Sequence, residues 1–393
     1  MKNRSAILQL LSTALLSFAL PTLASAADNA TEQVFARYAR YGADVWARNP
    51  LAKLTGEGQA CLSCHTSLPY ALVEPLIPGD YQAYADLIDN VDNRIRTWST
   101  NTPWYATDKR RQMEAFGGLP PNALEGLIDG PGSRGVESVF NALIRAMHDA
   151  YAGSPAQTTT KLAFEHMWAE QVKDGPKAGR WHWIQANLVP WEVADSDLWG
   201  ASLACVASSL FGELAPQSNL AMLDAALREG AESLDVSLHA KAAMLWCDSE
   251  SGGRVLEEST AATIVSDLLA AQHQEGGWGL RELGPWIGWA GSDSDCCAQR
   301  EVRPDTYATG FVTLALARRA KLGKEPLKEP LDRAVAWIDR ELKNPYPAEP
   351  RYNRHTSTAK DLPEFRNNLY TNAGHMWAYL ARAAYERSAA PWR

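Results

Sequence analysis

Residues 305–320 read Asp-Thr-Tyr-Ala-Thr-Gly-Phe-Val-Thr-Leu-Ala-Leu-Ala-Arg-Arg-Ala. An acidic residue followed by threonine favours the start of an α-helix, because the carboxylate accepts hydrogen bonds from backbone N–H groups of the first turn. Apolar residues then recur at helical spacing, with one small residue, Gly310, a turn inside. The stretch therefore predicts a helix that begins at Asp305.

Copies of this opening recur along the chain, each ahead of a run rich in alanine or leucine. They lie at Glu137-Ser138, Asp195-Ser196, Asp235 and Asn368-Leu369-Tyr370. The segment that starts at His65 fits the same frame loosely, and strand patterns with a period of two are hard to find. We therefore predict an all-α protein with helix starts near residues 65, 137, 195, 235, 305 and 369.

The spacing of these starts predicts the architecture. Six starts over residues 27–393 leave about 61 residues for each, enough for a helix hairpin and a long loop rich in Trp, Gly and Pro. An open solenoid of such hairpins would leave an uncapped apolar end. We expect the hairpins to close into an (α/α)6 toroid, one domain over residues 27–393.

The first 26 residues have the organisation of a secretory signal peptide. Lys2 and Arg4 precede an apolar core at 6–20, and Ala24-Ser25-Ala26 is a small-residue cleavage site. No later stretch approaches the roughly 18 uncharged apolar residues that a membrane-spanning helix needs. The sequence predicts a cleaved signal peptide at 1–26 and export to the periplasm, without a membrane span.

The strongest chemical motif is Cys61-Leu62-Ser63-Cys64-His65, which has the spacing of c-type haem attachment. Thiols three residues apart can both reach the vinyl groups of one haem, while the following imidazole reaches the iron. The alternatives are a structural disulfide, a redox dithiol and half of a zinc site. We predict one covalent haem c, attached through Cys61 and Cys64, with His65 as the metal ligand.

Nothing in the spacing selects a second axial ligand for the iron. The candidates are His182, His239, His355, His375, Met113 and Met376. A filled sixth position favours electron transfer, whereas an open one favours peroxide or oxygen chemistry. The chain is therefore not assigned as an enzyme; if it is one, we expect a haem-dependent oxidoreductase.

Four cysteines remain, Cys205, Cys247, Cys296 and Cys297, an even number for an oxidising compartment. Three pairings into two disulfides are possible. Adjacent cysteines are awkward to bridge to each other, so we favour bonds from Cys296 and Cys297 to Cys205 and Cys247. A vicinal Cys296–Cys297 disulfide with a redox role is the alternative.

The charge of the exported chain argues against nucleic-acid binding. Without the two basic residues of the signal peptide, 36 basic residues face 46 acidic ones, a net charge of −10. A protein that follows phosphates needs a basic face, but pairs such as Arg110-Arg111 stand in mixed segments. We expect the partner to be a periplasmic redox protein or an apolar small molecule.

The stretch Gln274-Glu275-Gly276-Gly277-Trp278-Gly279 resembles the Q-x-x-G-x-W repeat of squalene-hopene cyclases and prenyltransferase-type toroids. Residues 305–311 resemble the inner-helix start that follows such a loop. The segments 61–76, 134–143 and 181–192 look like an exported bacterial family in which CxxCH precedes a cyclase-like toroid. The resemblance implies a fold and does not by itself assign an activity.

The sequence departs from the cyclases at their acidic motif. Asp293-Ser294-Asp295-Cys296 matches three of the four positions of Asp-x-Asp-Asp but ends in Cys and lies after the tryptophan motif. We expect Asp293 and Asp295 to cap a helix or form a turn rather than protonate an alkene.

Three acidic residues at the predicted helix starts, Glu137, Asp195 and Asp305, are candidate ligand-binding residues at the mouth of the ring. The structural alternative is that they cap the helices. Six tryptophans of the loops line an apolar pocket or staple the repeats together: Trp181, Trp183, Trp191, Trp278, Trp286 and Trp289.

These observations leave three functional hypotheses. The first is a periplasmic c-type haem protein that transfers electrons or oxidises an isoprenoid- or lipid-like ligand in the toroid cavity. The small residues Ala142, Gly200, Ala201, Gly310 and Gly374 favour an open cavity slightly. The second is a cyclase-type toroid that binds or transforms lipids and in which CxxC is structural. The third is a non-catalytic scaffold.

Overall fold

A computed structural model of the chain describes residues 60, 62–79, 81–101, 130–185, 189–286, 303–323, 325–342 and 364–386, together with 40, 43, 44 and 47. Within residues 364–372 it describes the backbone alone.

These residues form helices α1 to α11. Their bounds are Ser67–Val73, Gln82–Arg96, Gly130–Tyr151, Thr158–Glu170, Ser196–Leu210, Gln217–Glu232, Leu238–Glu250, Glu258–Ala270, Thr306–Ala320, Lys328–Leu342 and Glu364–Glu386. The described residues include no strand, only one isolated antiparallel bridge between Gln171 and Trp181. The prediction of an all-α protein is confirmed.

Alternate helices contact one another in a closed cycle. Along it, α1 contacts α3, α3 contacts α5, and contacts then continue through α7, α9 and α11 back to α1. We call α1, α3, α5, α7, α9 and α11 the cycle helices. The others flank them: α2 contacts α1 and α3, α4 contacts α3, α6 contacts α5 and α7, α8 contacts α7, and α10 contacts α9 and α11. This order is the one that the expected toroid requires, and the toroid itself stays a prediction.

The cycle helices α5 and α9 bury a larger share of their residues than the flanking helix α2. In α5 every residue from Ser196 to Ser208 is buried, and in α9 every residue from Tyr307 to Arg319. The flanking helix α2, by contrast, buries only Ile88, Val91, Arg94 and Ile95. A helix that is buried on all sides needs small and apolar residues all round, which explains the alanine- and leucine-rich runs of the sequence.

The helix starts differ from the prediction at three places. Helix α3 begins at Gly130, so Glu137 lies about two turns inside it; Pro131 suits a first helical turn, because its missing N–H has no acceptor there. Helix α7 begins after Ser237 rather than Asp235, and the Ser237 side chain caps it. Helix α11 begins at Glu364, five residues before the predicted start.

The favoured cysteine pairing is wrong. Cys205 of α5 is bonded to Cys247 of α7, with Cα atoms 5.6 Å apart. The two helices are neighbours in the cycle, and both cysteines are completely buried between them. This bond leaves neither Cys205 nor Cys247 for Cys296 or Cys297, which lie outside the described residues, as do Asp293, Asp295 and Trp289.

No helix within the described ranges is both long and apolar enough to cross a membrane. The predicted signal peptide lies outside those ranges.

Candidate functional site

The segment that carries the haem motif is a turn leading into α1. Ser63 and Ser67 fix the turn reciprocally: the Ser67 N–H donates to Ser63 Oγ at 3.1 Å, and the Ser63 N–H donates to Ser67 Oγ at 2.9 Å. The Leu68 N–H adds a bond to the Ser63 carbonyl at 3.0 Å. The Cys64 side chain is buried, and Cys61 lies outside the described residues.

His65 follows in this turn with its ring partly buried. Its Nδ1 lies 2.9 Å from Thr66 Oγ1. Burial lowers the pKa of the imidazole to about 4, so the ring is neutral at pH 7. Iron binds neutral imidazole, and a metal-binding histidine commonly engages its other ring nitrogen in an orienting hydrogen bond. With Nδ1 at Thr66, Nε2 is the nitrogen through which this ring would hold a metal.

The candidates for the second axial ligand differ in burial, in hydrogen-bond partners and in their distance from α1 along the order of helix contacts. The His182 side chain is exposed, and His239 Nε2 lies 2.7 Å from the Tyr307 hydroxyl. His375 and Met376 are both buried on α11, which contacts α1, the helix that directly follows His65. His355 and Met113 lie outside the described residues.

Glu137 forms a buried ion pair rather than facing an open mouth. Its two carboxylate oxygens accept hydrogen bonds from Arg94 at 2.5 and 2.9 Å. The pair joins the flanking helix α2 to the cycle helix α3, and both side chains are almost fully buried. Breaking such a pair leaves an uncompensated buried charge, so Glu137 has a structural role here.

Asp195 and Asp305 occupy the same place at the starts of α5 and α9 but make different bonds. Asp305 caps its own helix through the Ala308 N–H at 2.8 Å, and its other oxygen accepts from the Leu280 N–H at 2.7 Å. Asp195 instead accepts from the Ser237 N–H at the start of α7, at 2.7 Å. Burial raises the pKa of both carboxyls, that of Asp305 to about 6.

Two loops, which we call the first tryptophan loop (171–191) and the second tryptophan loop (272–286), join repeats through equivalent bonds. The Trp181 indole N–H donates to the Met167 carbonyl of α4 at 2.7 Å, and the Trp278 indole donates to the Leu268 carbonyl of α8 at 2.6 Å. Both indoles are fully buried. Of the two roles weighed for these tryptophans, both bonds fit stapling, since each indole holds its loop to the helix that precedes it.

A glutamine side chain adds hydrogen bonds to the indole bond in each loop, and we call the glutamine and indole bonds together the staple. The Gln272 side-chain amide donates to the Gly276 carbonyl at 2.8 Å and to the Pro330 carbonyl of α10 at 2.9 Å. Gln171 donates likewise to the Gly179 carbonyl at 3.1 Å and to the Asn219 carbonyl of α6 at 3.0 Å. The glutamine of the staple is therefore Gln272 rather than Gln274, and Gln171 is its counterpart in the first loop. Gln171 lies further from Trp181 along the chain than Gln272 lies from Trp278, so the sequence pattern did not reveal it.

The cycle helices and tryptophan loops meet in an aromatic cluster, which comprises Trp191, Trp199, His239, Trp286, Tyr307, Phe311 and Trp377. Neighbouring ring centroids in it lie 4.8–6.4 Å apart. Every member is at most 4% exposed. Aromatic side chains thus fill this part of the interior.

Two of the small residues that favoured an open cavity serve close packing instead. A Cβ atom on Gly310 would meet the backbone of Trp377 and Ala378, and one on Gly200 would meet the ring of Trp183. Gly310 therefore lets α9 approach α11, and Gly200 makes room for an indole. Small residues permit close helix contact as readily as they leave space, so the sequence did not separate the two roles.

Sequence reasoning missed two interior groups. Tyr307 was part of a recognised helix start, but nothing in its spacing marked its hydroxyl as the partner of His239. Glu192 follows Trp191, and its Oε2 is buried without a hydrogen-bond partner; burial raises the pKa of its carboxyl to about 8. No periodicity distinguishes an inward-facing glutamate in a loop from a solvated one.

Among the described side chains, no three or more His, Cys, Asp or Glu residues group as ligands for a metal ion. No known protein family matches the sequence, and no curated protein matches it either.

Proposed function

We propose that the chain is an exported, periplasmic c-type haem protein in which an (α/α)6 toroid carries one covalent haem and exchanges electrons with a periplasmic redox partner. The observation that carries the proposal is the Cys61–His65 motif together with the neutral, oriented imidazole of His65. The closed order of contacts among the cycle helices supports the toroid.

In this proposal, haem c supplies reversible one-electron chemistry at its iron. Cys61 and Cys64 would hold the group through thioether bonds, and His65 Nε2 would bind its metal. Thr66 holds the imidazole in one orientation through Nδ1, and the Ser63–Ser67 bonds fix the turn on which Cys64 and His65 stand. These contacts pre-organise the donor groups at the start of α1.

Electron transfer is the better supported of the two redox roles. Oxidation of an isoprenoid- or lipid-like ligand needs an apolar cavity, whereas the aromatic cluster is filled and the Gly200 and Gly310 positions are closely packed. Glu137, Asp195 and Asp305 are also engaged in protein hydrogen bonds, which leaves the proposed mouth fewer groups for a ligand.

The test is a pyridine haemochrome spectrum and an intact mass of the protein purified from the periplasm. We expect the spectrum of one haem c per chain and a mass that exceeds the mature polypeptide by one haem. Cys61→Ala and Cys64→Ala should each reduce or abolish covalent attachment. His65→Ala should keep the attachment and change the spin state of the iron, whereas the exposed His182→Ala serves as the matched control and should change neither.

A bare polypeptide mass in periplasmic protein would overturn the proposal. If that protein also released a bound lipid or isoprenoid on extraction, the cyclase-type toroid with a structural CxxC would become the better account. A bare mass without any extracted ligand would favour the non-catalytic scaffold.

A further inference from the structure

Tyr307, at the start of α9, places its hydroxyl between two other side chains of the aromatic cluster. The Trp191 indole N–H donates to Tyr307 Oη at 2.9 Å, and His239 Nε2 lies 2.7 Å from the same oxygen. All three side chains are at most 1% exposed. The phenol therefore has a hydrogen-bond donor and a nitrogen base beside it, and all three side chains are buried.

The His239 ring is suited to act as that base. Burial lowers the pKa of its imidazole to about 3, so it is neutral at pH 7. In the tautomer that carries its proton on Nδ1, Nε2 accepts a hydrogen bond from the phenol, while the Trp191 indole can only donate. The phenolic proton then lies on the line between Tyr307 Oη and His239 Nε2.

Aromatic rings surround this pair on several sides. The Tyr307 ring lies 5.0 Å from Trp191 and 6.4 Å from Trp377, and the His239 ring lies 5.7 Å from Trp286. Indole and phenol are the side chains most easily oxidised by one electron in the absence of thiols. Rings at such separations can pass an electron from the interior towards the loops, and the same packing keeps water away from an oxidised side chain.

We propose that Tyr307 is a redox-active tyrosine that gives one electron to a high-potential oxidant, an oxidised transition-metal centre, while its phenolic proton moves to His239. The O–H bond of Tyr307 breaks, an N–H bond forms at His239 Nε2, and the metal is reduced by one electron. The products are a neutral tyrosyl radical and an imidazolium, and a one-electron reductant reverses both changes.

The internal base determines where the positive charge resides. Loss of an electron alone would leave a buried phenol radical cation, which is a far stronger acid than imidazolium. Moving the proton to His239 keeps the charge on the better base without exposing the pair to water. Burial disfavours the charged form of His239, so the proton returns to the phenolate when the radical is reduced. The Tyr307–His239 pair can undergo this exchange with or without the proposed haem.

The chain offers a matched control. Tyr84 Oη lies 2.9 Å from His148 Nδ1, so it has the same type of partner, but both side chains are only half-buried. Water can reach this second pair and can quench or replace its proton transfer. A radical at Tyr84 should therefore be short-lived, and Tyr84→Phe should leave the Tyr307 signal unchanged.

The experiment is flash photolysis of tris-bipyridyl ruthenium with an electron-accepting quencher, in the presence of the purified mature protein. Transient absorption follows radical formation, and electron paramagnetic resonance of freeze-trapped samples identifies the radical. We expect a tyrosyl radical coupled to a solvent-exchangeable proton, which is absent in Tyr307→Phe and retained in Tyr84→Phe. His239→Gln can keep a hydrogen bond but cannot take the proton, so it should slow radical formation about 100-fold.

No tyrosyl radical in the wild type, or the same radical in folded Tyr307→Phe, overturns the inference. If circular dichroism shows that Tyr307→Phe does not fold, His239→Gln and Trp191→Phe decide the matter. If the radical forms at an unchanged rate in His239→Gln and has an unchanged spectrum in Trp191→Phe, Tyr307 is excluded as the oxidised residue.

Discussion

The two tryptophan loops are built alike and used differently. In both, a glutamine side chain bonds the carbonyl of a positive-φ glycine, Gly179 or Gly276, and an indole N–H bonds the flanking helix that precedes the loop. A Cβ atom on either glycine would run into a carbonyl of the next flanking helix. The staple is therefore a repeated device that sets the distance between consecutive flanking helices.

The loops diverge after the staple. In the second loop the Trp286 indole donates to the Leu280 carbonyl within the same loop, and Asp305 caps the helix that follows. In the first loop the Trp191 indole reaches Tyr307 of α9, and Asp195 bonds the start of α7. The last indole of the second loop thus bonds within its own loop, and the Gly284 carbonyl of that loop accepts from the Leu238 N–H at the start of α7. The last indole of the first loop reaches α9 instead. One repeat frame therefore serves packing in one copy and a polar interior site in the other.

The largest effect should come from removing the staple indoles. Trp181→Ala and Trp278→Ala each delete a fully buried ring and leave a backbone carbonyl without its donor. We expect each to lower the free energy of unfolding by about 4 kcal/mol, measured by urea denaturation. Similar losses would support equivalent staples; a loss confined to one variant would show that the loops are not equivalent repeats.

A smaller effect should separate Asp305 from Asp195 by pH. The folded-state pKa of Asp305 is raised from 3.8 to about 6, so its contribution to stability is complete below about pH 4 and is lost as the pH rises through about 6. Wild type should lose up to about 3 kcal/mol relative to Asp305→Asn across this window, because Asn carries no charge to titrate. The amide keeps one acceptor oxygen for the two N–H donors, and the loss of the other bond is the same at every pH.

The matched control for that experiment is Asp195→Asn, since Asp195 is less buried and should give a shallower difference. The measurement is urea denaturation of wild type and both variants in buffers from about pH 4 to 7. Parallel stability curves for wild type and Asp305→Asn would contradict the prediction.

The smallest effect should come from the glutamines. Gln171→Ala and Gln272→Ala each remove two hydrogen bonds to carbonyls, so we expect losses of about 1–2 kcal/mol in the free energy of unfolding. Gln171 is buried and Gln272 is half-buried, so the first variant should lose more. Gln274→Ala is the control, and a loss there as large as in Gln272→Ala would restore Gln274 as the staple residue.

The sequence predicts a helix start correctly where the signal is local. Asp305 marked the start of α9 to the residue, since an N-cap bonds N–H groups only a few positions ahead. The same pattern gave a wrong helix start at Glu137, because that residue lies within a helix that begins at Gly130. An acidic residue before a serine looks the same at a cap and in an ion pair with a distant arginine.

The sequence by itself determined the all-α class and the chemistry offered by Cys61, Cys64 and His65, because both depend on residues a few positions apart. The tertiary structure alone decided which side chains meet from far along the chain. Cys205 pairs with Cys247 across 42 residues, and Tyr307 meets His239 across 68. Such meetings depend on which helices become neighbours when the cycle closes, and helical periodicity specifies each buried face without naming the helix that will cover it.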